Sequence, residues 1–117
     1  MAFAALAVVP PPQQASPDNV REFQVTAKKY EWTPSRFEVM EGDTVRFVVH
    51  STDSRHGFGI KELNVKQEVP KSGDAVTIEV VASRPGEFEI ACSEWCGKGH
   101  KTMKGVLVVK PRASGTR

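Results

Sequence analysis

The stretch TVRFVVH, residues 44–50, alternates apolar with polar side chains. Its apolar residues Val45, Phe47 and Val49 share one face of an extended chain. His50 falls on the opposite face, with the charged and polar residues. Alternation with period two is typical of a β-strand that buries one face and exposes the other to solvent. The stretch therefore predicts a half-buried strand in which His50 is a surface residue.

Two further stretches nearer the C-terminus repeat this alternation: VTIEV at 76–80 and FEIAC at 88–92. Turn sequences that contain glycine separate the stretches, at 41–43, 71–74 and 84–86. No segment carries a convincing run of apolar residues at i, i+3 and i+4, the spacing of an amphipathic helix. The pattern favours half-buried antiparallel strands and an all-β fold.

These stretches, with weaker ones between them, predict about seven or eight short strands. The expected strands lie at roughly 22–29, 36–40, 44–50, 56–61, 64–69, 75–82, 86–92 and 104–110. Regular short strands separated by turns are typical of a β-sandwich or a barrel. The predicted fold class is therefore an all-β, Greek-key β-sandwich or barrel.

The chain has 117 residues, enough for one domain. Four prolines in the polar stretch 10–19 predict an extended segment, so 1–19 is expected to be a flexible leader to a domain over 20–110. The small, polar stretch 111–117 is expected to be a flexible tail. The apolar run 2–9 is shorter than the roughly 20 residues that span a bilayer, and no basic segment precedes it. We interpret it as a remnant of a signal or anchor segment.

The overall composition is that of a folded globular protein, with 39% hydrophobic and 26% charged residues. The formal net charge is only +2 at pH 7. This balance is unlike that of proteins that bind nucleic acid by neutralising its phosphates. We therefore expect no nucleic-acid partner.

One short loop gathers most of the metal-binding chemistry of the chain: residues 92–103 read CSEWCGKGHKTM. The loop contains two thiols, an imidazole and a thioether, from Cys92, Cys96, His100 and Met103. Soft sulfur ligands combined with imidazole suit copper better than they suit hard cations, which take oxygen. Because a predicted strand precedes the loop and another follows it, the sequence predicts a metal site at one pole of the sandwich.

Two other interpretations of this loop remain open at this point. A Cys92–Cys96 disulfide is possible across a turn, and an oxidising compartment would favour it. Zinc also binds thiolate and imidazole, although structural zinc sites rarely use methionine. A single methionine before a strand is more often a core residue, so Met103 counts as a ligand only as part of the set.

A histidine upstream adds to the candidate ligands. In the stretch STDSRHGFGI, residues 51–60, His56 shares one strand face with Phe58 and Ile60. If the strands are antiparallel, His56 lies at the same pole as the loop 92–103. We therefore expect His56 to be a ligand.

These residues closely resemble the CuA site of cytochrome c oxidase subunit II. The matching pattern is Asp53-x-x-His56 followed by Cys92-x-x-x-Cys96-x-x-x-His100-x-x-Met103. The resemblance covers about 23–110, including the stretch FEVMEGDTV at 37–45 and the turn RPGEF at 84–88. It implies a cupredoxin fold.

The resemblance also implies a ligand set. Two copper ions would be bridged by two thiolates, each ion with one terminal imidazole and one weak ligand, a thioether or a backbone carbonyl. These ligands are Cys92, Cys96, His56, His100, Met103 and the carbonyl of Glu94. In oxidases the side chain at the position of Glu94 also faces subunit I, near a magnesium site.

The function that the resemblance implies is electron transfer without catalysis by the domain alone. Electrons would come from a c-type cytochrome and pass to oxidase subunit I. The domain would lie in the periplasm or on the outer face of the cytoplasmic membrane (the intermembrane-space side if mitochondrial). Membrane association would come only through a missing anchor.

Three aromatic residues are candidates for the contact with the electron donor. Tyr30 and Trp32 resemble the aromatic segment near which cytochrome c docks in the oxidase family, so electrons are expected to enter there. Packing in an edge strand is the alternative role for Trp32. Trp95 stands in the metal loop, where it either shields the copper or forms a docking surface.

Three other functions remain as alternatives. The CuA domain of nitrous oxide reductase shares the His-Gly-Phe sequence at 56–58, but it usually has Trp at the position of Glu94. A periplasmic copper-delivery protein would have a more Met- and His-rich, exposed site than three Met and three His provide. A metal-free interaction domain with a Cys92–Cys96 disulfide is the third alternative.

Overall fold

The computed structural model describes residues 19–112, and this range contains nine β-strands. They are β1 (Val20–Lys28), β2 (Glu31–Thr33), β3 (Arg36–Met40), β4 (Thr44–Ser51), β5 (His56–Ile60), β6 (Val65–Val69), β7 (Val76–Val81), β8 (Gly86–Cys92) and β9 (Lys104–Lys110). Lys61–Leu63 and His100–Thr102 each form a single turn of 3₁₀ helix. The all-β prediction is confirmed. Within the described range, no helix is long and apolar enough to cross a membrane.

The strands form two sheets that pack around one hydrophobic core. The strand order is β2-β1-β4-β7 in the four-stranded sheet and β3-β9-β8-β5-β6 in the five-stranded sheet. Strand β8 pairs antiparallel with both of its neighbours, β5 and β9. The start of β5, the end of β8 and the start of β9 therefore lie at one end of the sandwich, which we call the metal pole.

A row of aromatic rings fills the core between the sheets. Phe23 packs edge-on against Phe37, with ring centroids 5.0 Å apart, and Phe37 packs edge-on against Phe47 at 5.2 Å. Phe58 continues the row, 4.8 Å from Phe47 and 5.3 Å from Trp32. Each such pair contributes about 0.5–1.5 kcal/mol beyond the area it buries. The row supports the metal pole from below with rigid side chains.

The direction of two strand pairs differs from the prediction. Strands β1 and β4 are parallel, as are β3 and β9, whereas the alternation had favoured antiparallel strands. The chain crosses from one sheet to the other between β2 and β3, so β4 returns beside β1 in the same direction. Period-two alternation reports which face of a strand is buried and not the direction of the neighbouring strand, so these two pairs carry no signal in the sequence.

Strand β2 was not among the predicted strands. It is only three residues long and is followed by Pro34, so it gives too short a pattern to detect. It pairs antiparallel with β1, with Trp32 opposite Ala27. His50, predicted at the surface, is half-buried on the polar face of β4.

The C-terminal boundary of the domain involves a buried carboxylate. Asp43 accepts a hydrogen bond from the Met40 backbone N–H at 2.9 Å and from the Arg112 guanidinium at 2.8 Å. Arg112 falls in the predicted tail, so the contacts of the domain extend two residues past β9. The remainder of that tail, 113–117, lies outside the described residues, as does nearly all of the predicted leader.

Candidate metal centre

Strand pairing brings the candidate ligands together. Phe58 of β5 pairs with Cys92 of β8, so His56, at the start of β5, lies beside the last residue of β8. The loop that follows Cys92 returns through a 3₁₀ turn that begins at His100, and Met103 then leads directly into β9. Because β8 and β9 are neighbours, both ends of the loop are fixed to the centre of the larger sheet.

The centre of the site is a pair of thiols. Cys92 and Cys96 are both buried and both free, and their Sγ atoms are 3.0 Å apart. This pair contains no disulfide, so the structure gives no support to the disulfide interpretation of the loop. One nitrogen of the His56 imidazole lies within 4.8 Å of both sulfur atoms. The three residues form a compact group of donors on which a metal ion can bind.

Each thiol has its own further donors. Cys92 Sγ lies 3.0 Å from the backbone carbonyl oxygen of Glu94. Cys96 Sγ lies 3.8 Å from His100 Nδ1 and 3.9 Å from Met103 Sδ. Met103 is fully buried, so its thioether sulfur is held in the site by packing. The structure thus brings all six predicted ligands to one place, with two thiols at the centre and other donors on both sides.

His56 is oriented by Asp53. Its Nε2 lies 2.9 Å from Asp53 Oδ1, and Asp53 Oδ2 accepts a hydrogen bond of 2.8 Å from the Lys29 backbone N–H. A carboxylate only accepts, so Nε2 carries the proton and Nδ1 keeps its lone pair. Nδ1 is buried and has no hydrogen-bond partner. A buried acceptor without a partner is costly, and a metal ion would satisfy it.

The Asp53 carboxyl is held in its charged form. Burial by itself would raise its pKa, but hydrogen bonds from the backbone N–H groups of Lys29 and Ser54 and from the His56 imidazole outweigh that effect and lower the pKa. Asp53 therefore stays ionised over the physiological range, and the proton on Nε2 of His56 stays fixed.

Burial, followed by the neighbouring Cys92 thiol, raises the pKa of the Cys96 thiol to about 12. Without a metal ion the thiol is therefore protonated at neutral pH. A bound cation favours the thiolate, so metal binding releases protons here. The centre is built for occupancy by a cation rather than for a free, reactive thiolate.

Two glycines of the loop make room for Tyr30. A Cβ on Gly99 would lie 2.7 Å from Cε2 of the Tyr30 ring, and a Cβ on Gly97 would overlap the Tyr30 hydroxyl. The Tyr30 ring therefore lies flat against the turn between Cys96 and His100. This contact places Tyr30 at the metal pole, where it holds the segment that carries His100.

The two tryptophans occupy opposite environments. Trp32 is only 2% exposed, and its indole N–H donates to the backbone carbonyl of Met103 at 3.3 Å. Its ring centroid is 6.4 Å from that of His56. Trp32 is thus packed behind the site, whereas Trp95 is 70% exposed on the outer side of the loop.

Two contributors to the site have weak signals in the sequence. Asp53 stands three residues before His56, a spacing that belongs to the matched pattern, but its role in fixing the imidazole depends on the turn between β4 and β5. Gly57 follows His56, and a Cβ there would lie 2.7 Å from the Glu94 backbone nitrogen. Only the pairing of β5 with β8 reveals that this position has no space for a side chain.

The donor set fits copper. Two thiols, two imidazoles and a thioether are soft or borderline ligands, and no carboxylate points at the thiol pair within the described residues. The pair of sulfur atoms lies next to further donors from His56, Glu94, His100 and Met103. A copper ion would also satisfy the buried Nδ1 of His56, which has no hydrogen-bond partner.

Comparison with known proteins agrees with the fold and with the resemblance. The chain is 37% identical over 86 residues to cytochrome c oxidase subunit 2 of Thermus thermophilus, an alignment that covers 74% of this chain and 63% of that relative. The chain thus spans less than two thirds of the relative's length. The resemblance to subunit II predicted from the ligand spacing is confirmed by this match.

Two solved structures share the sandwich. The periplasmic domain of subunit II of the Bradyrhizobium japonicum cytochrome oxidase superposes with a TM-score of 0.69 at 21% identity, covering 82% of this chain and 88% of that one. A chain of a heme-copper terminal oxidase dimer superposes with a TM-score of 0.68 at 22% identity, covering 77% and 65%. The sequence also matches the family model of the cupredoxin-like domain over residues 1–109. This chain therefore belongs to the cupredoxin-like family.

Proposed function

We propose that this domain holds a binuclear copper centre of the CuA type and carries single electrons. The observation that supports the proposal best is the pair of buried, free thiols with Sγ atoms 3.0 Å apart, each next to its own further donors. Two copper ions that share one electron across two thiolates would supply one-electron transfer with little change in bond lengths. A copper-delivery protein would instead favour an exposed site from which the metal leaves easily.

In this proposal each ligand is held by a different part of the fold. Cys92 and Cys96 would hold both ions through their thiolates. His56 binds through Nδ1, because Asp53 holds its Nε2, and His100 binds from the 3₁₀ turn. The two weak ligands are the Met103 thioether, next to Cys96, and the Glu94 carbonyl, next to Cys92.

The surrounding residues keep this arrangement rigid and dry. Trp32 and Phe58 pack beneath the site, and the Tyr30 ring covers the loop between Cys96 and His100. A rigid, buried set of ligands changes little when the charge of the site changes, which favours rapid electron transfer. In this proposal the domain by itself carries electrons and performs no bond-making chemistry.

The partners follow from the similarity to cytochrome c oxidase subunit 2. We propose that a c-type cytochrome or a similar donor reduces the centre and that the electron passes to a haem–copper oxidase core, subunit I. The side chain of Glu94 would face that core. The domain would then act on the outer, periplasmic face of the membrane. Trp32 and Tyr30 are the proposed route by which electrons enter, Trp32 from within the core and Tyr30 from the surface of the loop.

Electron paramagnetic resonance of the copper-loaded protein, with copper counted per chain, tests the proposed centre. We expect two coppers per chain and a hyperfine pattern shared over two equivalent copper nuclei. A single-copper pattern at one copper per chain would contradict the binuclear centre and favour a mononuclear carrier or a delivery protein. Failure to bind copper under reducing conditions would leave a metal-free domain.

Replacing Met103 with leucine tests the weak ligand. The two side chains have similar volumes, so the free energy of unfolding should change by less than about 1.5 kcal/mol. The copper spectrum and the reduction potential should both shift, because the thioether 3.9 Å from Cys96 Sγ is lost. Met40→Leu, at the end of β3, is the matched control and should leave both unchanged. An unaltered spectrum in Met103→Leu would make Met103 a core residue only.

Replacing Asp53 with asparagine tests the orientation of His56. The amide oxygen is a weaker hydrogen-bond acceptor than the carboxylate. The amide also has only one oxygen, so its NH₂ group must face either the His56 Nε2–H or the Lys29 N–H, and one of these two hydrogen bonds is lost. Loss of such an outer partner typically costs 10–100-fold in metal affinity, and we expect about that loss here. Competition with a Cu(I) chelator measures it. Asp74→Asn, on the exposed turn between β6 and β7, is the control, and an equal loss in both variants would refute the orienting role.

A further inference from the structure

The surface of the metal pole combines an exposed aromatic ring with unpaired positive charge. Trp95 is 70% exposed, and among the described residues only Val81, at 54%, is another large hydrophobic side chain left that open. Trp95 directly precedes Cys96, so it belongs to the loop that carries the thiol pair. Large aromatic side chains that remain exposed are enriched at protein–protein interfaces.

Three exposed lysines lie in the segments that form the metal pole with Trp95. Lys98 lies between the two glycines that pack on Tyr30, Lys29 directly precedes Tyr30, and Lys101 is in the 3₁₀ turn. In the described part of the chain, none of the three has an ion-pair partner. We call Trp95 with Lys29, Lys98 and Lys101 the basic face.

The acidic residues of this pole form no ion pair with the lysines of the basic face, within the described residues. Asp53 accepts hydrogen bonds from the backbone of Lys29 and Ser54 and from His56. Glu31 pairs with Lys28 at 3.7 Å, and the Glu94 side chain packs over Gly57. The three lysines therefore present positive charge to solvent, with one further carboxylate, that of Glu94, on the same loop.

Charges on the outer face of the four-stranded sheet are arranged differently. Arg46 lies 2.7 Å from the carboxylate of Glu79 and 3.2 Å from that of Glu22. The two carboxylates raise the pKa of Arg46, with Glu79 the stronger. Positive charge is thus paired on that face and left unpaired at the metal pole.

We propose that the basic face is the docking surface for a redox protein whose contact area is apolar and whose rim is acidic. Complementary charge steers two proteins together and raises the association rate by 10- to 1,000-fold. The Trp95 ring supplies the apolar contact, on the residue next to the Cys96 ligand. This inference deepens the proposed electron-transfer function and rests on it.

The same lysines make two other occupants conceivable, and both are less well supported. A nucleic acid would need more phosphate contacts than three lysines provide. An anionic membrane would attract the lysines, but it would cover the loop through which a protein donor must reach the site. A protein with an acidic rim satisfies both the charge and the exposed ring.

Paramagnetic mapping of the metal-free protein tests the sign of this surface without requiring copper. The probes are hexacyanochromate(III), an anion, and hexaamminechromium(III), a cation. We expect the anion to broaden the indole N–H signal of Trp95 and the backbone amide signals of 95–101 selectively, and the cation to leave them sharp. Selective broadening by the cation, or equal broadening of the amides around Lys61 and Lys66, would overturn the proposal.

Electron-transfer kinetics of the copper-loaded protein test the occupant. The two donors are an acidic and a basic c-type cytochrome, compared at low and high ionic strength. We expect faster reduction by the acidic one and a rate that falls as salt is added, because charges are screened over about 10 Å at 0.1 M. The double variant Lys98→Glu/Lys101→Glu should lower that rate about tenfold at low salt, whereas Lys61→Glu/Lys66→Glu, at the far end of β5 and on β6, should not.

The outcomes separate this inference from the proposed function. A two-copper spectrum together with faster reduction by the basic cytochrome would overturn the acidic partner and leave the electron carrier intact. Absence of the two-copper centre would refute the carrier, while the mapping result on metal-free protein would still stand. Binding of the domain to anionic lipid vesicles that is lost in Lys98→Glu/Lys101→Glu, without a preference for the acidic cytochrome, would assign the face to a membrane instead.

Discussion

Replacing Cys92 with serine abolishes the spectrum shared over two copper nuclei and leaves the sandwich folded. The hydroxyl is a hard donor with a much higher pKa than a thiol, so it cannot bridge two copper ions as a thiolate does. The remaining thiol, Cys96, keeps His100 and Met103 within 3.8–3.9 Å. We therefore expect about one copper per chain in Cys92→Ser, with the hyperfine pattern of a single nucleus.

Cys96→Ser provides the comparison. It also removes the bridge, but the donors it leaves next to Cys92 are His56 and the Glu94 carbonyl oxygen, with no thioether. We expect weaker copper binding than in Cys92→Ser, measured by competition with a chelator. Thermal unfolding of both metal-free variants should resemble that of the parent protein, which separates loss of a ligand from loss of the fold. A normal two-copper spectrum in either variant would rule out bridging thiolates.

Replacing Gly57 with alanine disrupts the site from behind, although it touches no ligand atom. The new Cβ would lie 2.7 Å from both the backbone nitrogen and the Cγ of Glu94, and it would overlap the Ser93 hydroxyl. The segment that follows Cys92 must therefore move away from β5. Overpacking of this kind typically costs 1–3 kcal/mol, and the displacement also removes the Glu94 carbonyl from Cys92 Sγ. We expect a lower free energy of unfolding in denaturant titrations and loss of most of the two-copper signal.

Gly59→Ala is the graded control for this variant. Its nearest contact would be 3.0 Å to the Ser93 Cβ, so it should cost less and retain the two-copper signal. The double variant Gly57→Ala/Ser93→Gly removes the overlap with the hydroxyl but not the contact with the Glu94 backbone, so it should rescue Gly57→Ala only in part. If the double variant recovers the full signal, the Ser93 hydroxyl and not the Glu94 backbone is what excludes a side chain at position 57.

Most strands could be predicted because burial of one strand face produces an alternation of apolar and polar residues in the sequence. Val45, Phe47 and Val49 face the core along β4, as the alternation indicated. The direction of β4 beside β1 was not predictable, since parallel and antiparallel strands give the same alternation. Strand β2 was not predicted because an alternation cannot be recognised in only three residues before a proline.

The clustering of the candidate ligands could be predicted because sulfur and imidazole donors at regular spacing in one loop are rare in a chain with two cysteines. What holds the ligands in place was less visible. The hydrogen bond between Asp53 and His56 depends on a turn, and the contact of Tyr30 with Gly97 and Gly99 joins segments almost 70 positions apart. Such contacts follow from tertiary packing and leave no local signal in the sequence.

The placement of Trp32 shows the same limit. An aromatic residue in a short segment next to the loop was compatible with a surface role or with packing. The structure buries it between the two sheets, where its N–H group donates to Met103 O. Trp32 can therefore contribute to electron transfer only from inside the core. Direct contact with a partner protein must be made by exposed side chains.

The hydrogen bond from Trp32 to Met103 joins two residues 71 positions apart, one in the four-stranded sheet and one immediately before the last strand of the other sheet. The two layers cannot separate at that end without exposing the indole and releasing Met103, whose thioether lies 3.9 Å from Cys96 Sγ. Separation of the layers therefore also disturbs the ligand loop. A metal ion that binds only the folded loop also stabilises the whole domain by mass action. The melting temperature of the domain therefore reports how fully the site is occupied.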